Sequence, residues 1–287
     1  MTHRLDHLVV AVRDLDGAAQ FYERLGFQVG TRNRHPWGTE NRIIQFPDSF
    51  IELITVGARA DIPPHGPRRF SFGAFVRDFL ARREGLAMLA LASRDAKADA
   101  AAFTEAGIGD FEPFFFERKA QRPDGSETRV AFTLAFARDP LAPEAGFFVS
   151  QHHEPGNFWN AALQRHPNGA TGISAVALAV DDPAAHRVFL ERFTRESAAQ
   201  TPEGGLSIAL EGNRIDIVTL NAPAERFGLA AAGSWRRGFA AFAVRCPDAR
   251  EMAARFDAGG LPGQRIGSRL IVPASTAFGV ALAFEPV

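Results

Sequence analysis

Apolar and polar positions along the chain follow two rhythms, and their alternation in blocks predicts the elements. The first block opens on His7-Leu8-Val9-Val10-Ala11-Val12, an almost continuous apolar run that reads as a buried strand. Asp14 then supplies an N-cap, and Ala18, Ala19, Phe21, Tyr22 and Leu25 recur at helical spacing until Gly26 stops the helix. Strands are expected at Phe27–Arg32, Asn41–Phe46 and Phe50–Val56, the last two joined by the turn Pro47-Asp48-Ser49. After an irregular stretch from Asp61 to Pro67 and a helix at Phe72–Arg83, the order repeats. Leu86–Ala92 reads as a strand and Lys97–Ala106 as a helix closed by Gly107. Strands follow at Phe111–Lys119, Arg129–Ala137 and Gly146–Gln151, with a Pro123-Asp124-Gly125 turn between the first two.

From His152 to Gly172 the rhythm breaks into a Pro-, Gly- and Asn-rich stretch that reads as a linker. A third block then runs through Ile173–Val180, an Asp182-capped helix to Phe193, and strands at Leu206–Leu210 and Arg214–Thr219. The fourth has Phe239–Val244, a helix from Asp248 to Phe256, and strands at Arg269–Val272 and Phe278–Phe284. Gly204-Gly205 and Gly259-Gly260 read as hairpin turns. Four strand-helix-strand-strand-strand (βαβββ) modules therefore emerge, and repetition at that scale is the strongest fold signal in the chain. The expected class is α+β, with the modules paired into two domains at residues 1–151 and 173–287 around the linker at 152–172. Each pair closes a curved mixed sheet around a cleft, with the helices packed outside.

Composition changes this picture little. The 287 residues suffice for two domains of ordinary size, each with its own core. A net charge of -1 gives no electrostatic reason to expect nucleic acid or an anionic membrane as partner. No run of about eighteen apolar residues is present, so no membrane-spanning helix is expected. The opening MTHRLDHLVV enters a strand directly, without a signal peptide's apolar core. Cys246, the single cysteine, excludes an intrachain disulfide and any thiolate cluster, and a cytoplasmic location is expected. The 26 Phe against one Tyr build cores and walls without polar tips.

The chemistry-bearing residues gather in the first module. His7 and Glu52 stand in its first and last strands, each among apolar residues, where one compact module brings the two together on a divalent metal. The alternative is a pair of satisfied polar groups in a cleft, bonded to each other or to water. Arg34-His35-Pro36-Trp37-Gly38-Thr39-Glu40-Asn41 feeds a cleft strand, so His35 or Asn41 is placed to bond a substrate oxygen; the other reading is a loop that shapes the strand's entry. Arg118, on an expected cleft strand, either pairs with a substrate carboxylate or forms a salt bridge with Glu112 or Glu52. No nucleophile elbow and no phosphate-cradling glycine motif occurs.

The segments DHLVVAVRDLDGAAQFYERLGFQV and FIELITV, with RHPWGTENRIIQF between them, resemble the vicinal oxygen chelate superfamily, which includes glyoxalase I, extradiol dioxygenases and bleomycin-resistance proteins. The likeness runs from Leu5 to Gly172, carried in its second half by RPDGSETRVAFTLAFARDP, GFFVSQHHEPGNFW and QRHPNGATG; the C-terminal half matches by pattern alone. The resemblance implies metal ligands on the first and last strands of paired modules. His7 and Glu52 match two of them, the first-strand position of module two falls at about Ala87, and the last-strand position falls near Ser150 or Gln151. His152 is the candidate third ligand, since alternation sets Ser150 and His152 on one face and Gln151 and His153 on the other. In the C-terminal half the position of His7 is taken by about Ala175 and Phe239, which makes that half a metal-free copy.

What the resemblance implies is a small-molecule lyase or isomerase using zinc, nickel, manganese or iron in the N-terminal cleft, with Glu52 also moving the proton. The competing expectation is a metal-free binding protein of the bleomycin-resistance type with Phe-rich walls. A dioxygenase is disfavoured, because no two-histidine, one-carboxylate triad stands in register. Exposed edge strands leave room for a homodimer.

Overall fold

The computed structural model describes residues 3–121, 126–220, 237–247 and 263–286, together with 252, 253, 256, 260 and 261. The elements run β1 (Leu5–Ala11), α1 (Leu15–Arg24), β2 (Asn33–Arg34), β3 (Thr39–Gln45), β4 (Phe50–Val56) and α2 (Phe72–Arg82), then β5 (Gly85–Ala92), α3 (Ala96–Glu105), β6 (Phe114–Gln121), β7 (Glu127–Ala137), β8 (Gly146–His152) and a one-turn α4 (Pro155–Phe158). The second half continues with β9 (Gly172–Val180), a 3-10 turn into α5 (Arg187–Thr194), β10 (Ala198–Gln200), β11 (Leu206–Leu210), β12 (Asn213–Thr219), β13 (Gly238–Arg245), β14 (Gln264–Ile266), β15 (Arg269–Val272) and β16 (Ala281–Glu285). The strands form two eight-stranded sheets of identical order, β2-β3-β4-β1-β5-β8-β7-β6 and β10-β11-β12-β9-β13-β16-β15-β14. In each, two four-stranded halves meet at an antiparallel central pair, β1–β5 or β13–β9, as the paired-module reading expects.

Local chemistry accounts for the helices. Asp14 accepts from the Gly17 backbone N–H at 2.9 Å, Asp95 accepts from Lys97 and Ala98, and Ser71 accepts from Ala74, so each first turn satisfies orphan donors. Gly26 adopts φ 84 to release the chain from α1, a conformation that a side chain would strain. One face of each sheet, with α1, α3 and α5, joins a single apolar core. There Phe27 stacks on Phe284 at 5.8 Å and Phe147 meets Phe239 at 5.3 Å, so the two halves share their interior. The other face of the first sheet carries Val9, Ala11, Phe50, Ile54 and Phe148 and receives Phe72, Val76 and Phe79 from α2, which closes one end of a cleft.

Several expected boundaries move, each for a physical reason. No strand forms over the expected Phe27–Arg32, where the backbone N–H of Gln28 goes to His166 Nδ1 at 3.0 Å instead of to a neighbouring strand; only the two residues after it, Asn33–Arg34, pair as β2. β6 starts at Phe114 rather than Phe111, after Pro113, which has no N–H to give. β10 and β14 are short strands that sequence periodicity did not reveal. The expected Pro123-Asp124-Gly125 turn, and most of the expected helix from Asp248 to Phe256 with Gly259, lie outside the described residues. The stretch 152–172 is far from a loose tether. His166 Nε2 bonds the Gln45 carbonyl at 2.8 Å, Gln45 Nε2 donates to the Phe158 carbonyl at 2.8 Å, and Asn168 donates to the Leu25 carbonyl at 3.0 Å. Among the described residues no helix is long and apolar enough to cross a membrane.

Candidate functional site

The cleft of the first sheet narrows to a tight pocket whose floor is polar. β1 supplies His7, β3 supplies Asn41 and β4 supplies Glu52, all at or below 5 % exposure. His35 and Trp37 come from the loop before β3, Arg118 from β6, and Phe148 and Ser150 from β8. Aromatic rings form most of the wall: His7 lies flat on Phe50 at 4.2 Å, and His35 lies flat on Trp37 at 4.5 Å.

Glu52 is the centre of the floor. The Asn41 side-chain amide donates to its Oε1, His7 Nε2 faces its Oε2 at 3.9 Å, and His35 Nε2 stands 3.7 Å from Oε1. Neither histidine is at hydrogen-bond distance, so a single amide compensates a carboxyl withdrawn from water. Burial without a contacting cation costs several kcal/mol. It raises the Glu52 pKa above the ordinary carboxylate range, against the weaker pull of His7, Asn41 and Arg118. His35, which bonds Thr39 Oγ1 through Nδ1 at 2.8 Å, is driven the other way by burial and by the charges of Arg118 and His7. Its pKa falls to about 3, so it is neutral near pH 7.

Behind His7 stands a residue that the sequence reading missed. Asp6 Oδ2 accepts from His7 Nδ1 at 2.6 Å, which turns Nε2 toward the cleft. Strict alternation would put Asp6 on the opposite face; the β1–β5 pairing carries a register irregularity between Leu5 and His7 that brings it within reach. The available signal was a carboxylate beside a histidine in an otherwise apolar strand, because a buried Asp needs a partner. Burial works against its charge, yet the charges and hydrogen bonds of His152 and His7 prevail and hold Asp6 well below the usual carboxylate range.

The sequence-derived site residues thus divide. His7, Glu52, Asn41, His35 and Arg118 line one pocket. The Ser150 and His152 face is the one turned inward, with Ser150 in the pocket wall, while Gln151 caps α3 through Ala96 and His153 bonds Thr133. His152, however, stacks on Trp159 and gives its Nε2 to Asp6 at 3.2 Å, so it supports Asp6 rather than joining His7 and Glu52 as a third ligand. Module two contributes Phe148 and Ser150 where further ligands would be needed, and among the described residues no group of three His, Cys, Asp or Glu side chains is assembled to hold a metal. The donor set therefore does not fit a firmly held ion. The expected salt bridge from Arg118 to Glu112 or Glu52 is also absent: its guanidinium donates to Asn33 Oδ1 at 3.0 Å and to the Lys119 carbonyl at 3.3 Å. Three buried polar atoms at or beside the site have no partner, Asn41 Oδ1, Trp37 Nε1 and His152 Nδ1.

Comparison with solved structures places the architecture. A hypothetical protein from Staphylococcus aureus superposes with a TM-score of 0.70 at 13 % identity over 99 % of both chains. A mutant of 4-hydroxymandelate synthase from Streptomyces coelicolor gives 0.61 at 10 % identity, over 99 % of this chain and 92 % of that one. A fusion protein of a xylose isomerase-like TIM barrel and a 4-hydroxyphenylpyruvate dioxygenase gives 0.57 at 15 % identity, over 99 % of this chain but 49 % of that one. At such identities the likeness is one of fold. No curated protein matches the sequence. The family model of the glyoxalase-like domain matches residues 5–194, from β1 to the end of α5, and so takes in every residue of the cleft just described. With more than half its length covered by that model, and with two eight-stranded sheets of identical strand order, the chain belongs to the glyoxalase-like domain family of the vicinal oxygen chelate superfamily.

Proposed function

We propose that the N-terminal cleft is the active site of a lyase or isomerase acting on a small carbonyl compound, with Glu52 as the base that takes a proton from the carbon beside the carbonyl. The observation that carries this reading is Glu52 itself: a carboxyl buried in an aromatic pocket, with no cation in contact and a raised pKa, is tuned toward the pH at which a general base works best. At 3.9 Å from Glu52 Oε2, His7 Nε2 is not hydrogen-bonded to it and is left to meet a substrate oxygen lying beside the pair. Asp6 holds Nδ1–H, so Nε2 is the atom that can pass a proton to and from that oxygen. The Trp37 N–H and the Asn41 Oδ1, both without partners, are available to fix the substrate's orientation. In an isomerisation of a hydroxy-carbonyl compound Glu52 returns its proton to the former carbonyl carbon of the enediolate; in an elimination Glu52 keeps the proton while the enolate re-forms its carbonyl and expels a leaving group from the carbon next to the deprotonated one. No step is assigned to a metal, because His152 is engaged by Asp6.

A metal-free binding protein is the second reading, favoured by the aromatic wall. Proton exchange separates the two. Enolisable ketones and 2-oxo aldehyde adducts incubated with the protein in D2O, as purified and after loading with zinc, nickel, manganese or iron(II), should exchange the proton beside the carbonyl in the wild type and not in Glu52→Gln. Binding without exchange under every loading condition would leave the binding protein as the account.

A further inference from the structure

Beyond the polar floor, the pocket opens into a wider groove lined by Gly30, Arg32, Asn33, Lys119, Trp159 and Asn160 among others, and three residues belong to both spaces: Ile43, Phe158 and Arg118. Arg118 therefore stands at the junction. Alternation along β6 sends Phe116 and Arg118 to the cleft, while Glu117 and Lys119 face outward and are neutralised across the hairpin, Glu117 by Arg129 at 2.9 Å and Lys119 by Glu127 at 3.2 Å. Arg32, the other arginine of the groove, is held by Asp16 and Glu40. Among the described residues, Arg118 is the cation of this groove that has no carboxylate within 4.0 Å; it meets only the neutral Asn33 Oδ1 and the Lys119 carbonyl. It is half-buried, so its charge is partly removed from water, and two weak neutral acceptors leave most of its five N–H donors uncommitted.

We propose that the ligand of this cleft is a carboxylate anion with a planar apolar body: the body enters the ring-lined pocket and the carboxylate docks on Arg118 at the junction with the outer groove. This deepens the reading of the same cleft as a carbonyl enzyme and rests on it for the direction in which the ligand enters. A guanidinium binds a carboxylate through two parallel N–H donors, which fixes orientation as well as sign. An anion at this point completes the neutralisation that the outward-facing residues of β6 already have. It also draws the ligand in by charge before the aromatic wall is engaged.

The test uses 4-oxo-4-phenylbutanoate, which has an aromatic ring, an enolisable ketone and a carboxylate, against its methyl ester as the neutral counterpart. Calorimetry on the full chain is expected to give at least about tenfold tighter binding of the acid by the wild type, a preference abolished in Arg118→Gln and partly kept in Arg118→Lys, with ester affinity unchanged. Equal affinity for acid and ester in the wild type, failure of both to bind, or a preference that survives Arg118→Gln would overturn the proposal. Should Arg118→Gln not fold, the graded loss in Arg118→Lys and the weakening of acid binding by salt decide the matter, and an acid preference untouched by either also overturns it. Deuterium exchange on the same two probes reports the proton-transfer reading separately. Acid preference without exchange keeps the anion subsite and removes the base; exchange on both probes without preference does the reverse.

Discussion

The two sheets share one strand order, yet one register position has opposite fates in them. His7 lies opposite Phe50 in the parallel pair β1–β4, and Ala175 lies opposite Arg214 in the parallel pair β9–β12. Two residues further on, Glu52 in the first sheet corresponds to Asp216 in the second. Both carboxyls are buried, but Asp216 meets Arg214 at 3.0 Å and the Ser207 hydroxyl at 2.8 Å, and Arg214 reaches on to Glu285, which Arg269 also holds. Glu52 has Phe50 where Asp216 has Arg214, so its charge is left to one amide and the field of more distant groups. Ala177, Ala179, Ala241 and Ala281 cluster on the second sheet's corresponding face, where the first has histidines and aromatic rings. A buried carboxylate that is paired serves stability, and one left unpaired is available for chemistry.

This contrast can be broken at its strongest point first. Glu52→Gln should lower proton exchange by about 10²–10⁴-fold, the usual contribution of a positioned base, with the circular-dichroism spectrum unchanged. Asp6→Asn removes the acceptor that orients His7, and a loss of about 10–100-fold is expected in the same assay. An unchanged rate in either variant would detach that residue from the reaction. In stability, the two carboxyls should respond with opposite signs. Asp216→Asn should cost about 1–3 kcal/mol in urea unfolding, since it leaves Arg214 and the Ser207 hydroxyl short of a partner. Glu52→Gln should stabilise, and only above the ordinary Glu pKa of 4.5. A raised folded-state pKa means that the protonated form is favoured on folding, so the wild type loses stability as pH rises from 4.5 through the folded value, and glutamine does not. Exchange should rise with pH over the same window as Glu52 ionises. The smallest effect expected is on metal content: after zinc loading and dialysis the wild type should retain well under one equivalent, and His7→Ala should change that little, because the third ligand position is missing.

The strand patterns that located β1, β4, β5 and β9 were legible because a strand buried on both faces is nearly continuous in apolar residues, and the Asp14 and Asp182 caps marked two of the helices. The same reading found His7 and Glu52, since each interrupts such a run. It did not find Asp6, which reaches His7 through a β-irregularity that no alternation rule shows. It left His152 free to face either way, because the partner that claims it lies 146 residues earlier in the chain. Nor did it show that residues 152–172 are tied down, since the hydrogen bonds that fasten them to β3 and α1 join residues more than a hundred positions apart.

By itself, then, the sequence determined the modules, their repetition and the pair of polar residues set into apolar strands, all properties that depend on neighbours a few positions apart. Only the tertiary structure decided which charges meet. Asp6 falls between two histidines, Asp216 meets Arg214, Glu52 has only the amide of Asn41 at hydrogen-bond distance with His7 and His35 standing off at 3.9 and 3.7 Å, and Arg118 meets no carboxylate among the described residues. The strength of a buried charge's interaction, and so its chemistry, is set by what the fold brings within about 4 Å of it, and sequence spacing carries no information about that distance.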